Sequence, residues 1–145
     1  MTWDNYFFTI VDAVKEKSKD TSIKIGCIIV GPNHEIISTG FNGFPIGIEE
    51  IPARLERPMK YMFTEHAERN AIYLAARRGV SLSNSILYVT GFPCADCARA
   101  IIQSGIREVR IDSTKYRPDF DDRWKESMDV AKTMFNEAGV IVKII

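Results

Sequence analysis

SILYVTGFPCADCARAIIQSGIREVRID, residues 85–112, decides the fold class. Ser85–Thr90 is a short apolar run with β-branched and aromatic residues, and predicts a buried strand. Cys94–Ser104 predicts a helix that Gly105 ends. Glu108–Asp112 returns as a strand. Toward the C-terminus the spacing predicts a helix from about Asp121 to Ala138. Its core stripe would be Trp124, Met128, Ala131, Phe135 and Ala138. Gly139 stops it and Val140–Ile144 is a further strand. That helix is long enough for a crossover, so the last two strands should run parallel.

Toward the N-terminus, residues 65–78 predict a helix rich in good formers (Ala67, Glu68, Ala71, Leu74, Ala75, Ala76), with Gly79 as its stop. A long loop precedes it, from about Gly40 to Phe63, punctuated by glycines and prolines. Loops of that length in a small domain are usually functional. Before it, residues 24–30 and His34–Thr39 predict two strands joined through Gly31-Pro32-Asn33. Residues 3–17 predict a first helix, with Phe7, Ile10, Val11 and Val14 at helical spacing and Thr2 as N-cap. The order is α-β-β-α-β-α-β-α-β. The expectation is a three-layer α/β/α fold on a five-stranded mixed sheet, in one domain spanning residues 1–145.

Nineteen basic residues offset nineteen acidic ones, so the 145-residue chain is neutral. This argues against long nucleic acid, whose partners are usually basic, but not against a single nucleotide. Three cysteines, two of them in Cys94-x-x-Cys97, do not read as a secreted disulfide framework. The N-terminus shows no secretory pattern and the apolar runs are too short for a bilayer, so a cytoplasmic protein is expected.

The chemistry-bearing residues are His66-Ala67-Glu68 and Pro93-Cys94-Ala95-Asp96-Cys97. An imidazole and two thiolates are zinc ligands, and three ligands leave one tetrahedral position for water, as catalytic zinc requires. Cys94 and Cys97, three apart at a helix start, can face one point. His66 and Glu68 would not share a face of a regular helix, but can converge at its first turn. Two thiolates cancel the charge of the ion and weaken it as a Lewis acid, for which the positive ends of two helices partly compensate. Glu68 is then the proton carrier, taking a proton from water and delivering it to the ring nitrogen and the departing amine. A Cys-x-x-Cys alone is more often structural or redox-active. His-x-Glu followed by Pro-Cys-x-x-Cys, with a non-ligand Glu, is the signature of zinc deaminases. Cys27 is the residue that could close the site as a fourth ligand, although its apolar run Ile25–Val30 favours a core position. His34, at a turn, reads as solvated.

These motifs resemble the deoxycytidylate (dCMP) deaminase family of the cytidine-deaminase-like superfamily. The resemblance runs through Ser18-Lys19-Asp20, Gly40-Phe41-Asn42-Gly43-Phe44-Pro45-Ile46-Gly47, His66 to Ile72, Phe92 to Cys97 and Ile102 to Ile106. It implies zinc held by His66, Cys94 and Cys97, with Glu68 as proton shuttle. It implies that Asn42 bonds the sugar or base, that the Ala67 N–H holds the pyrimidine O2, and that the carbonyl near Pro93 receives the amino group. It further implies a homo-hexamer activated by dCTP and inhibited by dTTP, with Mg²⁺ beside the triphosphate, and an effector site drawing on Gly43, Gly47, Asn70 and Arg77. For the substrate phosphate, which needs cationic or N–H donors, the expected residues are Lys19 and Lys115. Tyr116 is placed to stack on the base. Three departures from the family pattern, Thr21, Ile23 and Ile48-Glu49-Glu50, leave acceptance of dCTP open. The rival readings are a tRNA adenosine deaminase and a non-catalytic zinc module that senses nucleotides.

Overall fold

The computed structural model describes residues 1–118 and 122–145. Helix α1, Trp3–Lys15, starts where Thr2 Oγ1 accepts the Asn5 N–H at 3.1 Å. It ends two residues before the expected Lys17, because Lys17 and Ser18 turn back onto the carbonyls of Val14 and Lys15. Strand β1, Gly26–Val30, is buried along its whole length. It pairs antiparallel with β2, Ile36–Phe41. The second strand was expected at His34–Thr39; it lies two residues later, since His34 sits in the turn with φ 66°.

The loop expected at 40–63 contains two one-turn helices, α2 (Pro52–Leu55) and α3 (Lys60–Phe63). Helix α4, Ala67–Arg78, ends at Gly79, whose φ of 68° is the left-handed cap expected of glycine. Then follow β3 (Ile86–Val89), α5 (Ala95–Gln103), β4 (Glu108–Ile111), a short 3₁₀ turn (Asp122–Trp124), α6 (Lys125–Ala138) and β5 (Ile141–Ile144). Asp121, the expected start of the last helix, lies outside the described residues.

The sheet order is β2-β1-β3-β4-β5. β1 pairs antiparallel with β3, while β3, β4 and β5 run parallel, as the intervening helices require. Alternation along the strands sends Cys27, Ile29, Leu87 and Val89 to one face and Ile28, Val30 and Tyr88 to the other. Helices α4, α5 and α6 cover the first face through Ala71, Ala98, Ile101, Ala131 and Phe135. Among the described residues helix α1 covers the second, through Phe7, Phe8 and Val11. The stripe expected on the last helix is corrected in part. Ala131 and Phe135 are core, whereas Ala138 is exposed and Trp124 and Met128 line a cleft.

Gly40 is required by this packing. A Cβ there would lie 2.2 Å from the Ala67 carbonyl and 2.6 Å from the Ala71 nitrogen, so β2 can approach the start of α4 only through a glycine. The parallel strands bring the segments after β3 and β4 to one end of the sheet, where open α/β sheets bind ligands. Among the described residues no helix is long and apolar enough to cross a membrane.

Candidate metal centre and active-site cleft

Two helix N-termini meet at this end of the sheet. His66 is the N-cap of α4 and Cys94 the N-cap of α5, both with extended backbone. His66 Nδ1 lies 3.3 Å from Cys94 Sγ and 3.5 Å from Cys97 Sγ. Donor atoms of these three residues all fall within 4.8 Å of one another. Zinc at its usual bond lengths and tetrahedral angles sets imidazole nitrogen and thiolate sulfur about 3.5 Å apart, so the donor set fits that ion. No fourth His, Cys, Asp or Glu among the described residues joins the group.

The electrostatics prepare the sulfurs for a cation. The Cys94 thiol is pulled down to about 4, first by the hydrogen bond from Cys97 and then, against burial, by His66. The same shared hydrogen bond, with burial, pushes Cys97 up. His66 is raised, chiefly by its contact with Cys94. Helix N-termini stabilise thiolates for the same reason that they bind anions.

Glu68 is 5% exposed, in the first turn of α4. Burial raises its carboxyl above the ordinary range, opposed by His66 and reinforced by Cys94. Because His66 stands at the N-cap, outside the helical spiral, the His66–Glu68 spacing need not obey helical periodicity. Cys27 is fully buried in the core and its Sγ donates to the Ala67 carbonyl at 3.2 Å. Its thiol is pushed well up by burial and by Glu68, and it stands outside the donor group. His34 is exposed at the far face, stacked on Trp3 with ring centroids 4.2 Å apart.

Supporting contacts that the sequence did not single out surround the donors. Glu65 Oε1 accepts both the His66 N–H (3.0 Å) and Arg69 Nε (2.6 Å). Arg69 also reaches Asp96 at 3.6 Å, bridging α4 to α5. Ser127 Oγ accepts the Ala95 N–H at 2.8 Å and so caps α5 from α6. The Trp124 ring stands edge-on to the His66 imidazole at 6.1 Å.

His66 and Cys94 open into a cleft of ≈ 630 Å³, with Cys97 buried behind them. Its lining holds eight lysines and arginines against three aspartates and glutamates, although the chain as a whole is neutral. Asn42 lies on this lining, 7% exposed, its Oδ1 accepting the Ile25 N–H (2.8 Å) and its Nδ2 donating to the Ile23 carbonyl (2.9 Å). Ala67, Lys115 and Tyr116 also line it. Lys115 is held by two carboxylates, Asp12 and Asp112, each at 2.9 Å. Pro93 is buried just behind the wall that Gly91, Phe92 and Cys94 form. Lys19 is not brought to the cleft; it pairs with Glu50 at the surface.

The expected effector residues fall in three places. Gly43 forms a bridge with Glu65, and Asn70 Nδ2 donates to the Phe41 carbonyl at 2.8 Å, so these two sit together. Gly47 is on an exposed turn with φ 86°, and Arg77 is exposed in the last turn of α4, about two helical turns beyond Asn70.

The zinc-binding region of the cytidine and deoxycytidylate deaminases matches residues 1–113. An uncharacterized deaminase encoded in the luxG 3′ region of Aliivibrio fischeri is 41% identical over 140 residues, spanning 97% of this chain and 91% of that protein. Human deoxycytidylate deaminase is 34% identical over 146 residues, spanning 97% and 78%. The solved dCMP deaminase of cyanophage S-TIM5, in complex with dCMP and dUMP, superimposes with a TM-score of 0.76 at 27% identity, covering 97% of this chain and 95% of that one.

Proposed function

The chain belongs to the cytidine and deoxycytidylate deaminase family, and from that premise we propose that it hydrolyses dCMP to dUMP and ammonia. One observation carries the reading: His66, Cys94 and Cys97 converge as three donors, one short of a tetrahedral set, and the buried carboxyl of Glu68 interacts with all three. His66, Cys94 and Cys97 would hold zinc, which would supply a Lewis acid able to lower the pKa of water to about 7. Glu68 takes a proton from the attacking water, delivers it to N3 of the cytosine, and carries the next to the departing amine. Burial favours its proton-holding form, which suits that shuttle. The bond from C4 to oxygen forms and the bond from C4 to nitrogen breaks; one proton of the water stays on N3 and the other leaves on ammonia, so Glu68 ends as it began.

The base is oriented by groups already rigid. The Ala67 N–H, at an α4 terminus with no intrahelical partner, faces the pyrimidine O2. Asn42, fixed by two backbone contacts, keeps one amide hydrogen for the sugar or base. The carbonyl near Pro93 receives the amino group, and Tyr116 stacks on the ring. The cationic lining supports a phosphorylated substrate, and the neutral overall charge argues against a tRNA stem.

The same reading carries a single domain over residues 1–145, a reducing cytoplasmic setting, and a homo-hexamer. It includes regulation by dCTP as activator and dTTP as inhibitor, with Mg²⁺, at a site drawing on Gly43, Gly47, Asn70 and Arg77. Large side chains left exposed on the 46–62 segment, among them Ile46 (79%) and Met62 (84%), support burial against another copy. The test is ammonia release by the zinc-loaded protein from dCMP, dCTP, cytidine and a tRNA anticodon stem, with and without dCTP and dTTP. Turnover of dCMP is expected to dominate. Inosine formation in the tRNA stem without dCMP turnover would overturn the assignment, and inactivity on all four would leave a nucleotide-sensing module.

A further inference from the structure

At the rim of the cleft, Asp20, Ser22, Arg57 and Lys60 form a cluster assigned no role by the sequence reading. Lys60 is nearly enclosed, its side chain 7% exposed, with Nζ 3.3 Å from Asp20 Oδ1 and 3.0 Å from Ser22 Oγ. Asp20 is fully engaged. Its Oδ1 also accepts the N–H groups of Ser22 (2.8 Å) and Ile23 (3.0 Å). Burial alone would raise this carboxyl, but those contacts and Lys60 hold it below the usual range. Arg57 Nη2 donates to the same Ser22 Oγ at 3.1 Å, and its guanidinium lies 5.9 Å from the Tyr61 ring centroid. Among the described residues no carboxylate pairs with Arg57.

Ser22 is the informative atom. Its oxygen accepts from two cationic side chains, which uses both lone pairs, and among the described residues it donates to nothing. Its hydrogen and the remaining N–H groups of Arg57 therefore present donors, and no acceptor, to the cleft. A hydroxyl polarised by two cations, beside a guanidinium that no carboxylate among the described residues neutralises, has the chemistry of an anion receptor. Lys19 and Lys115 are poorer candidates, since carboxylates already hold both. Beyond this wall a second pocket is lined by Thr21, Pro52, Leu55 and Glu56, with no lysine or arginine other than Arg57 and Lys60 themselves. Further phosphates extending that way would meet apolar side chains and a carboxylate.

We propose that Arg57 and the Ser22 hydroxyl, held in place by the Lys60–Asp20 pair, form the subsite for the 5′-phosphate of a nucleoside monophosphate. The inference rests on the deaminase reading for its substrate. Arg57 and Ser22 touch the phosphate; Lys60 and Asp20 are positioning residues.

The test compares kcat/KM for dCMP, dCTP and deoxycytidine in the wild type, Arg57→Ala, Arg57→Lys and Ser22→Ala, alongside ³¹P line broadening of inorganic phosphate. Arg57→Ala should lower the ratio of dCMP to deoxycytidine by about 10- to 100-fold, through KM, since a charge-assisted hydrogen bond contributes about 1.5–3 kcal/mol. Arg57→Lys keeps the charge but loses the fork and should fall between. Ser22→Ala removes only the polarised hydroxyl and should lower the same ratio less. An unchanged ratio in Arg57→Ala and Ser22→Ala overturns the subsite, as does a wild-type preference for dCTP. Should the wild type deaminate neither dCMP nor deoxycytidine, the deaminase reading fails while the subsite is still decided. Phosphate broadening that Arg57→Ala abolishes supports it, and broadening that is absent or unaffected overturns it.

Discussion

Replacing Glu68 by Gln removes the proton shuttle while preserving shape. The side chain is 5% exposed, so Gln fills the same volume and no cavity opens. Burial already raises the carboxyl, so ionising it costs the folded state free energy that an amide avoids. Stability should therefore not fall. Among the described residues the donor set is His66, Cys94 and Cys97, without Glu68, so one zinc per chain should remain. Turnover is another matter, because the same carboxyl serves N3 and the departing amine. General acid–base groups contribute about 10²–10⁴-fold, and a residue used in successive transfers belongs at the upper end. A fall of about 10³–10⁴-fold in kcat corresponds to roughly 4–5.5 kcal/mol of barrier. The assay is ammonia release from dCMP, with metal content by atomic absorption and Tm by calorimetry on the same preparation. Zinc lost in parallel with activity, or a fall in kcat of less than about tenfold, would refute the role assigned to Glu68.

Other outcomes follow from the packing and the charges. Cys27→Ala should keep one zinc per chain and wild-type kcat, since its Sγ meets a carbonyl rather than the donors; metal loss on dialysis would make it a ligand. Gly40→Ala drives a Cβ to 2.2 Å from the Ala67 carbonyl, and should destabilise by at least about 2 kcal/mol, a Tm drop of about 5 °C or more. A Tm within error of wild type would contradict the close approach. Asp4 is opposed by burial, but its hydrogen bonds from Tyr88 and Arg110 hold its pKa below 3.8. Its contribution is present above that value and lost as pH falls through the folded-state value. Urea unfolding of Asp4→Asn against wild type should therefore show a stability difference at pH 6 that shrinks on acidification below pH 3.8; a constant difference would remove the linkage.

What the sequence revealed, and what it withheld, divides along contact range. His66, Glu68, Cys94 and Cys97 were legible because the residue types carry their chemistry and both motifs open helices. The parallel last pair was legible because the crossover length fixes direction, whereas the order of strands across the sheet was not. Trp124 and Met128 were misplaced because helical periodicity finds an apolar stripe without saying whether it faces a core or a cleft. The one-turn helices Pro52–Leu55 and Lys60–Phe63 carry too few residues to show periodicity. Lys19 looked available as a phosphate donor because Glu50 is remote in the chain, as is Asp12, one of the two carboxylates on Lys115; the other, Asp112, is only three residues away. The pairing of Ser22 with Arg57, 35 residues apart, left no local trace at all.

Two helices whose leading ends point at one spot oppose each other electrostatically, and the residues that reconcile them, His66 and Cys94, stand 28 positions apart. A cation held there would be a tether across a long excursion of chain, and its retention would depend on how stiffly β2, β3 and α6 hold the two ends in register. Chelator-triggered release becomes a gauge of scaffold rigidity: any lesion that loosens the interior, however remote from the chemistry, should speed metal escape before the global melting point registers the change.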